Sequence, residues 1–220
     1  SLPLKLDLSN CYLTIVLVAA QAQTFLEEEN TAVLEAALAE LYTLKVSHAS
    51  LVTREVNHPF TECATFADDI KSVYSFQAGW HFIDQPYTIN GDSLDNYPLF
   101  VMDEYDIVGA LTNLTQWLEG SGDDYLRSYY WEQITKNFPK DSDGRSFALR
   151  MIIHYVGDIH QPLHASTGLD SYNPKGDRGG NTEYLPSICG AGNLHAVWDS
   201  VAYNYCGYPV QVSLSSFTII

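Results

Sequence analysis

A chain of 220 residues, 46% hydrophobic and 13% aromatic, can bury a core of its own and is too apolar for a disordered polymer. With 27 Asp and Glu against 11 Lys and Arg, its net charge of −16 is the reverse of the basic stripe by which a protein grips duplex DNA. An acidic chain can still act on phosphate esters when bound cations supply the positive field, so metal ligands are the feature to look for.

Near the front, Lys5 is followed by an apolar stretch at residues 11–20 and by Gln21-Ala22-Gln23, a pattern shared by secretory leaders and buried first helices. No run reaches the roughly 18 apolar residues of a spanning helix, so no membrane span is expected. The acidic run Glu27, Glu28, Glu29 reads as a solvated lead-in to a helix. Asn30 is a plausible cap for that helix, in which Val33, Leu34, Leu38, Leu41, Tyr42 and Leu44 recur at helical spacing. Further helices are predicted over 104–118, ending at Gly120, and over 123–138, ending before Pro139. A long one over 145–159 is apolar around most of its circumference, with Ile152, Ile153, Tyr155 and Val156, which implies burial on several sides. A Gly-rich loop at 176–181 precedes a short helix at 193–203. Strand signals are confined to the surroundings of Tyr184 and to the alternating Val210, Val212 and Leu214. One all-α domain over 1–220 with minor β ornament is the economical expectation. Asn113-Leu114-Thr115 is a glycosylation sequon, and Cys11, Cys63, Cys189 and Cys206 are even in number without zinc-ribbon spacing. A Cys189–Cys206 disulfide, the sequon and the leader-like front together favour a secreted or lumenal location, lysosome- or vacuole-like.

The chemistry lies on the buried helices. His154 and Asp158 are four residues apart, so both side chains leave one helix face about a turn apart, as two ligands of one metal do. His195 and Asp199 repeat that spacing. A carboxylate and an imidazole inside an apolar helix are costly unless paired or bound, and zinc takes both. Pro162 ends the long helix and lets His164 turn back toward it. A single buried histidine is more often a core imidazole bonded to a carbonyl; the set together points to metal. His160 also lies four residues from His164, but Pro162 between them breaks the alignment, and His160 is left out. His48 and His58 fall in polar stretches and read as solvated, whereas Met102 and Met151 read as core.

Phe66-Ala67-Asp68, Trp80-His81-Phe82-Ile83-Asp84, the eleven residues from His154 through Asp158 to His164, Gly179-Gly180-Asn181 and Asn193-Leu194-His195-Ala196-Val197-Trp198-Asp199 occur in this order and spacing. In them the chain resembles, over 66–199, the zinc-dependent single-strand nucleases of fungi and the bifunctional nucleases of plants, distant relatives of the zinc phospholipases C. The resemblance implies a mostly helical fold around a trinuclear zinc cleft that hydrolyses phosphodiesters in RNA and single-stranded DNA and releases 3′-phosphate from nucleotides. Carried over by position, Asp68, His81, His154 and Asp158 would hold one zinc, and His164, His195 and Asp199 a second. Asp158 would also bridge to a third. Asp68, Lys71 and Asp158 would be catalytic, Lys71 standing where the family has an Arg near the scissile phosphate. Asp84 and Asn181 would sit at the substrate edge of the cleft.

In the family the third zinc is completed by an N-terminal Trp and a following His; aligned on Val18-Ala19, those positions are Asn10 and Ile15 here. The chain ends 21 residues after Asp199, its tail at 211–220 does not resemble the further helices of the family, and both ends read as atypical or truncated. The expected function is a monomeric zinc endonuclease acting on single-stranded nucleic acid and nucleotides, without a stable duplex complex. The alternatives are a catalytically impaired zinc-binding paralogue and a phosphoester hydrolase acting on lipid head groups.

Overall fold

The computed structural model describes residues 13–44, 59–121, 124–188 and 191–200. Its helices in chain order are α1 (Leu13–Glu29), α2 (Thr31–Leu41), α3 (Pro59–Cys63), α4 (Phe66–Asp69), α5 (Ile107–Glu119), α6 (Tyr129–Asn137), α7 (Asp141–Asp158), α8 (Pro162–Ala165) and α9 (Leu194–Ser200). Two pairs of short strands complete it: β1 (Gln85–Thr88) runs parallel to β2 (Ser166–Leu169), and β3 (Tyr184–Ile188) runs antiparallel to β4 (Ala191–Asn193). The expected all-α class with minor β ornament holds. Residues His48 and His58, the Cys189–Cys206 pair and the tail strand at 210–214 lie outside the described residues.

Helix α7 is the element on which the others pack. Along one side Phe147, Ala148, Met151 and Tyr155 join Phe66, Trp80, Ile107, Leu114, Trp117 and Ile134 in one core. On the opposite side Ile153 joins Ile15, Ala19, Leu34, Leu41 and Phe60 in a second. Burial on two sides is the physical reason its sequence is apolar all round. Arg150 lies inside this packing, with Nη2 donating to Leu41 O at 2.8 Å and the guanidinium 5.0 Å from the Phe66 ring centroid, so a cation closes the last turn of α2.

Capping groups set the other boundaries. Asn30 Oδ1 accepts from Val33 N at 3.2 Å and starts α2. Asp106 Oδ1 accepts from Gly109 N at 2.8 Å, which moves the start of α5 from the expected 104 to Ile107, and Gly120 at φ 65° ends that helix. The single helix expected over 123–138 is divided: a 3-10 turn at Asp124–Arg127 is separated from α6 by Ser128, whose hydroxyl accepts from Trp131 N at 3.2 Å. Helix α7 begins at Asp141 rather than 145, because Asp141 and Asp143 favour the positive end of a helix.

Two further expectations are corrected. Glu27, Glu28 and Glu29 are exposed at the end of α1, with Asn30 between them and α2. Met102 is 45% exposed, whereas Met151 is core. The sequon lies inside α5, where Asn113 Nδ2 donates to Gly109 O at 2.8 Å. The described part of the apolar front forms α1, whose Ile15, Ala19 and Ala20 are buried and which packs on α7. Among the described residues no helix is long and apolar enough to cross a membrane.

Gly157 lets α1 and α7 touch: a methyl group there would lie 2.8 Å from Ile15 Cβ and collide with the Ile15 backbone. Helix propensity alone favours Gly157→Ala by about 1 kcal/mol, but the obstacle is main chain, and overpacking costs about 1–3 kcal/mol. The variant is therefore expected to unfold at lower urea concentration, and a raised midpoint would show that the two helices do not press together.

Candidate metal centre

Seven titratable side chains from five short stretches meet at the end of α7. Asp68 comes from α4, His81 from the end of a 3-10 turn (Ser75–His81), His154 and Asp158 from α7, His164 from α8, and His195 and Asp199 from α9. They fall into two groups, Asp68 with His81 and His154, and His164 with His195 and Asp199, in each of which the candidate ligand atoms lie within 4.8 Å of one another. Asp158 stands between the groups. Its Oδ2 is 2.8 Å from His81 Nδ1 and 3.1 Å from His154 Nε2, and its Oδ1 is 3.5 Å from His164 Nδ1. His160 is exposed and bonded to the carbonyl of Val156, outside both groups.

Hydrogen-bond logic fixes which imidazole nitrogen faces the centre. Gln77 Nε2 donates to Ala67 O at 2.7 Å, so Gln77 Oε1 is the atom turned to His81 Nε2 at 2.7 Å, and His81 must donate there. A carbonyl can only accept, so His154 Nδ1 donates to Ala64 O at 2.6 Å and His195 Nδ1 to Gly179 O at 2.8 Å. His164 Nδ1 donates in the same way to His81 O at 3.1 Å. Each ring thus spends its proton outward and turns a lone pair inward. His81 Nδ1 and His154 Nε2 end 3.2 Å apart beside a carboxylate oxygen of Asp158. Two lone pairs and an anionic oxygen repel unless a cation lies among them. A proton on one ring relieves one contact; a divalent ion with nitrogen and oxygen ligands relieves all, so the donor set fits zinc.

Charges respond to this crowding. Burial opposes ionisation of Asp158, but His154 and His81 overcome it and hold the carboxyl well below the usual range. Burial likewise opposes the charge on Asp68, which His154, His81 and Lys71 nevertheless pull down. His81 is pushed by burial to about 4, which keeps it neutral and able to ligate.

The groups face an open cavity of about 240 Å³ that is also lined by Ile15, Lys71, Phe82, Gln161 and Asn181. Lys71 Nζ lies 2.8 Å from Asp68 Oδ1. Asn181 Nδ2 donates to Arg178 O at 2.9 Å. Asp84, with left-handed φ of 48°, lies outside this lining; burial, with Asp103 and Asp177, pushes it up to about 6 against the pull of His195 and Arg178. Gly179, at φ 61°, lies where any side chain would strike the carbonyl of Leu163, which lets its own carbonyl reach His195.

Sequence reasoning missed three of the supporting residues. Gln77 is fully buried and accepts from both His81 and Tyr155 Oη, the latter at 2.9 Å; its place four residues before His81 was the available signal. Gln161, inside the quoted motif, donates from Nε2 to Asp199 Oδ1 at 3.0 Å. Phe82 packs its ring, tilted by 47°, with the centroid 4.7 Å from that of His164. Gln77→Leu would leave the His81 and Tyr155 donors unsatisfied in the core, at about 1–3 kcal/mol each, and should lower divalent-metal affinity about ten- to hundredfold. Thermal denaturation and metal titration of the variant test both, and unchanged metal affinity would show that Gln77 does not orient His81.

The S1/P1 Nuclease family model matches residues 16–209. Among curated proteins, Endonuclease 2 of Arabidopsis thaliana is 30% identical over 139 residues, covering 61% of this chain and 40% of that protein. Endonuclease 5 of the same plant is 28% identical over 141 residues, covering 62% and 41%. Endonuclease 4 is 25% identical over 186 residues, covering 82% and 50%. The chain thus spans at most half the length of these relatives. With a match that runs from α1 past both ligand groups, the chain belongs to the S1/P1 nuclease family.

Proposed function

We propose that the chain is a zinc-dependent phosphodiesterase that cleaves RNA and single-stranded DNA and removes 3′-phosphate from nucleotides. The observation that carries this reading is the convergence of inward lone pairs and carboxylates, in two groups joined by Asp158, at the floor of an open cavity. Family membership and relatives named as endonucleases support it. Asp68, His81, His154 and Asp158 would hold one zinc; His164, His195 and Asp199 would hold another. Zinc there supplies positive charge to a phosphate ester and lowers the pKa of water from about 16 toward 7.

The chain's own groups do the rest. Gln77 and the carbonyls of Ala64, His81 and Gly179 hold the outward protons of the imidazoles and keep their lone pairs aimed. Gln161 orients Asp199. Lys71, held by Asp68, offers an ammonium to a phosphate in the cavity, and Asn181 stands on its rim. The ring of Phe82, in the cavity lining, gives an unpaired base a surface to stack on, which a base-paired duplex cannot use.

Ile15 favours a second reading, a metal-stabilised chain of reduced activity. It lines the cavity beside Gly157 and Asp158 and carries no donor, so among the described residues this wall does not fit a third ion. Elemental analysis of the purified chain, with assays on single-stranded oligonucleotide and on lecithin, separates the readings. Two zincs with oligonucleotide cleavage support the first, two without cleavage the second, and no zinc defeats both.

Two substitutions sharpen the assignment. Asp199→Ala should cost one zinc per chain and lower the melting temperature, because the His164, His195 and Asp199 group fastens α9 to α8. A variant that kept its metal count would remove Asp199 from the ligand set. Asp158→Asn keeps the shape of the side chain and removes its charge between the two groups. Nuclease rate should fall at least about a hundredfold, the scale of losing one preorganised electrostatic contact to a transition state. An active variant with unchanged zinc would defeat the proposed mechanism.

A further inference from the structure

The 3-10 turn Ser75–His81 gives Gln77 and His81 to the metal centre, while its Phe76, Gly79 and Trp80 line a second open cavity, of about 310 Å³, that shares no lining residue with the first. Aromatic rings form its walls. Tyr105, just before α5, and Tyr129, the first residue of α6, stack with centroids 3.8 Å and planes 19° apart. Trp80 meets Tyr129 at 75° and Phe76 at 60°, so rings in several planes face the space. The segment that carries Tyr105 is fixed at both flanks: Ile107 N donates to Phe82 O at 3.0 Å, and Tyr130 Oη donates to Asp106 O at 3.1 Å. The site is therefore formed before any ligand arrives.

The charge of this cavity has one sign. Asp103 and Glu104 complete the lining, and Glu132 adds its negative charge at Tyr105. Gly79 brings Asp103 against the turn, for even a methyl group there would lie 3.7 Å from Asp103 Oδ2. Among the described residues that line the cavity none is Lys or Arg. A nucleobase could stack on such rings, but its phosphates would then meet the carboxylates and be repelled. The cavity is no continuation of a strand-binding cleft.

Ring faces carry the negative end of the aromatic quadrupole, so rings and carboxylates together attract a cation that loses little by leaving water. A primary ammonium holds its hydration strongly and is satisfied by the exposed carboxylates alone. A guanidinium is planar and asks for one flat ring, whereas these rings are inclined to one another. A tetrahedral quaternary ammonium offers methyl groups to rings on several sides and keeps its charge beside the acids. The volume, at the lower end of the roughly 300–1,000 Å³ of ligand cavities, suits one such head group better than a peptide. We infer that the cavity between the 3-10 turn and the Tyr105–Tyr129 stack is a binding site for a small quaternary ammonium ligand, separate from the metal centre.

The test is a ligand-observed magnetic-resonance titration of the full, metal-loaded chain in about 0.15 M salt, which screens diffuse attraction to an acidic surface. The probes are choline and the neutral alcohol in which carbon replaces its nitrogen. Choline should bind at least about tenfold tighter than the alcohol, the scale of a cation held against ring faces, with cross-relaxation from its methyl protons to the rings of Tyr105 or Tyr129. Asp103→Asn with Glu104→Gln should weaken choline about threefold and leave the alcohol unchanged. Tyr105→Leu should remove the preference for choline and Tyr105→Phe should keep it; if the leucine variant does not fold, the acid pair and the phenylalanine variant decide. Asp158→Asn should leave choline binding as it was, and a loss there would place the cation at the metal centre and overturn the inference. Equal affinity for the two probes, choline binding unmoved by the acid pair, or methylguanidinium bound as tightly as choline also overturns it. None of these results bears on nuclease activity, because the two cavities have no lining residue in common.

Discussion

Everything in this molecule is arranged around a buried carboxylate that has no right to be charged by burial alone. Asp158 is 1% exposed at the end of the most enclosed helix, and imidazole nitrogens crowd its two oxygens, so its ionised form is favoured only with positive charge among them. The rings in turn cannot share this space as neutral donors, since backbone carbonyls and Gln77 have already taken their protons. A divalent cation would satisfy the whole set at once, and the fold is the apparatus that brings the set together.

The apparatus is economical in its use of regular structure. Helix α7 supplies two ligands and receives support on two sides, so its position is fixed by both cores. The remaining ligands sit on short elements of four to seven residues, which have little stability of their own. They are fixed instead by bonds that run between them: Ile83 N to His164 O at 2.9 Å, His164 Nδ1 to His81 O, and His195 N to Gly180 O. The two ligand groups are therefore mechanically linked through the segment 81–83, and a displacement of one reaches the other.

How much of this was legible depends on the range of the interaction. The four-residue spacings His154–Asp158 and His195–Asp199, and the apolar circumference of α7, are local and can be read directly. Caps were legible when their side chains are short acceptors beside an apolar run, as at Asn30, but Ser128 was missed because the pattern on either side of it is helical. Gln77 escaped because its role needs three partners, Ala67, His81 and Tyr155, that only the fold brings together. The strand pair β1–β2 joins segments about eighty residues apart, and four-residue strands carry too little periodicity to announce it. Met102 was misread for the converse reason: an apolar residue type says nothing of exposure when no periodic face surrounds it.

Electrostatics then bears on how so acidic a chain could suit the polyanionic substrate proposed for it. The centre holds three carboxylates, Asp68, Asp158 and Asp199, which without cations would repel phosphate from the cavity. On the proposed reading, two divalent ions against three carboxylates would reverse the sign to a net single positive charge, and Lys71 adds another at the wall. The acidity of the rest of the chain, whose net charge as a whole is −16, would then be a source of discrimination, because it repels any polyanion that cannot reach the reversed field. A stiff duplex meets the acidic surface along its length, whereas a flexible single strand can bend into a local positive site and leave the rest of its backbone in solvent. On the proposed reading, selectivity for single strands would need no reader of base sequence: it would follow from confining positive charge to one cleft.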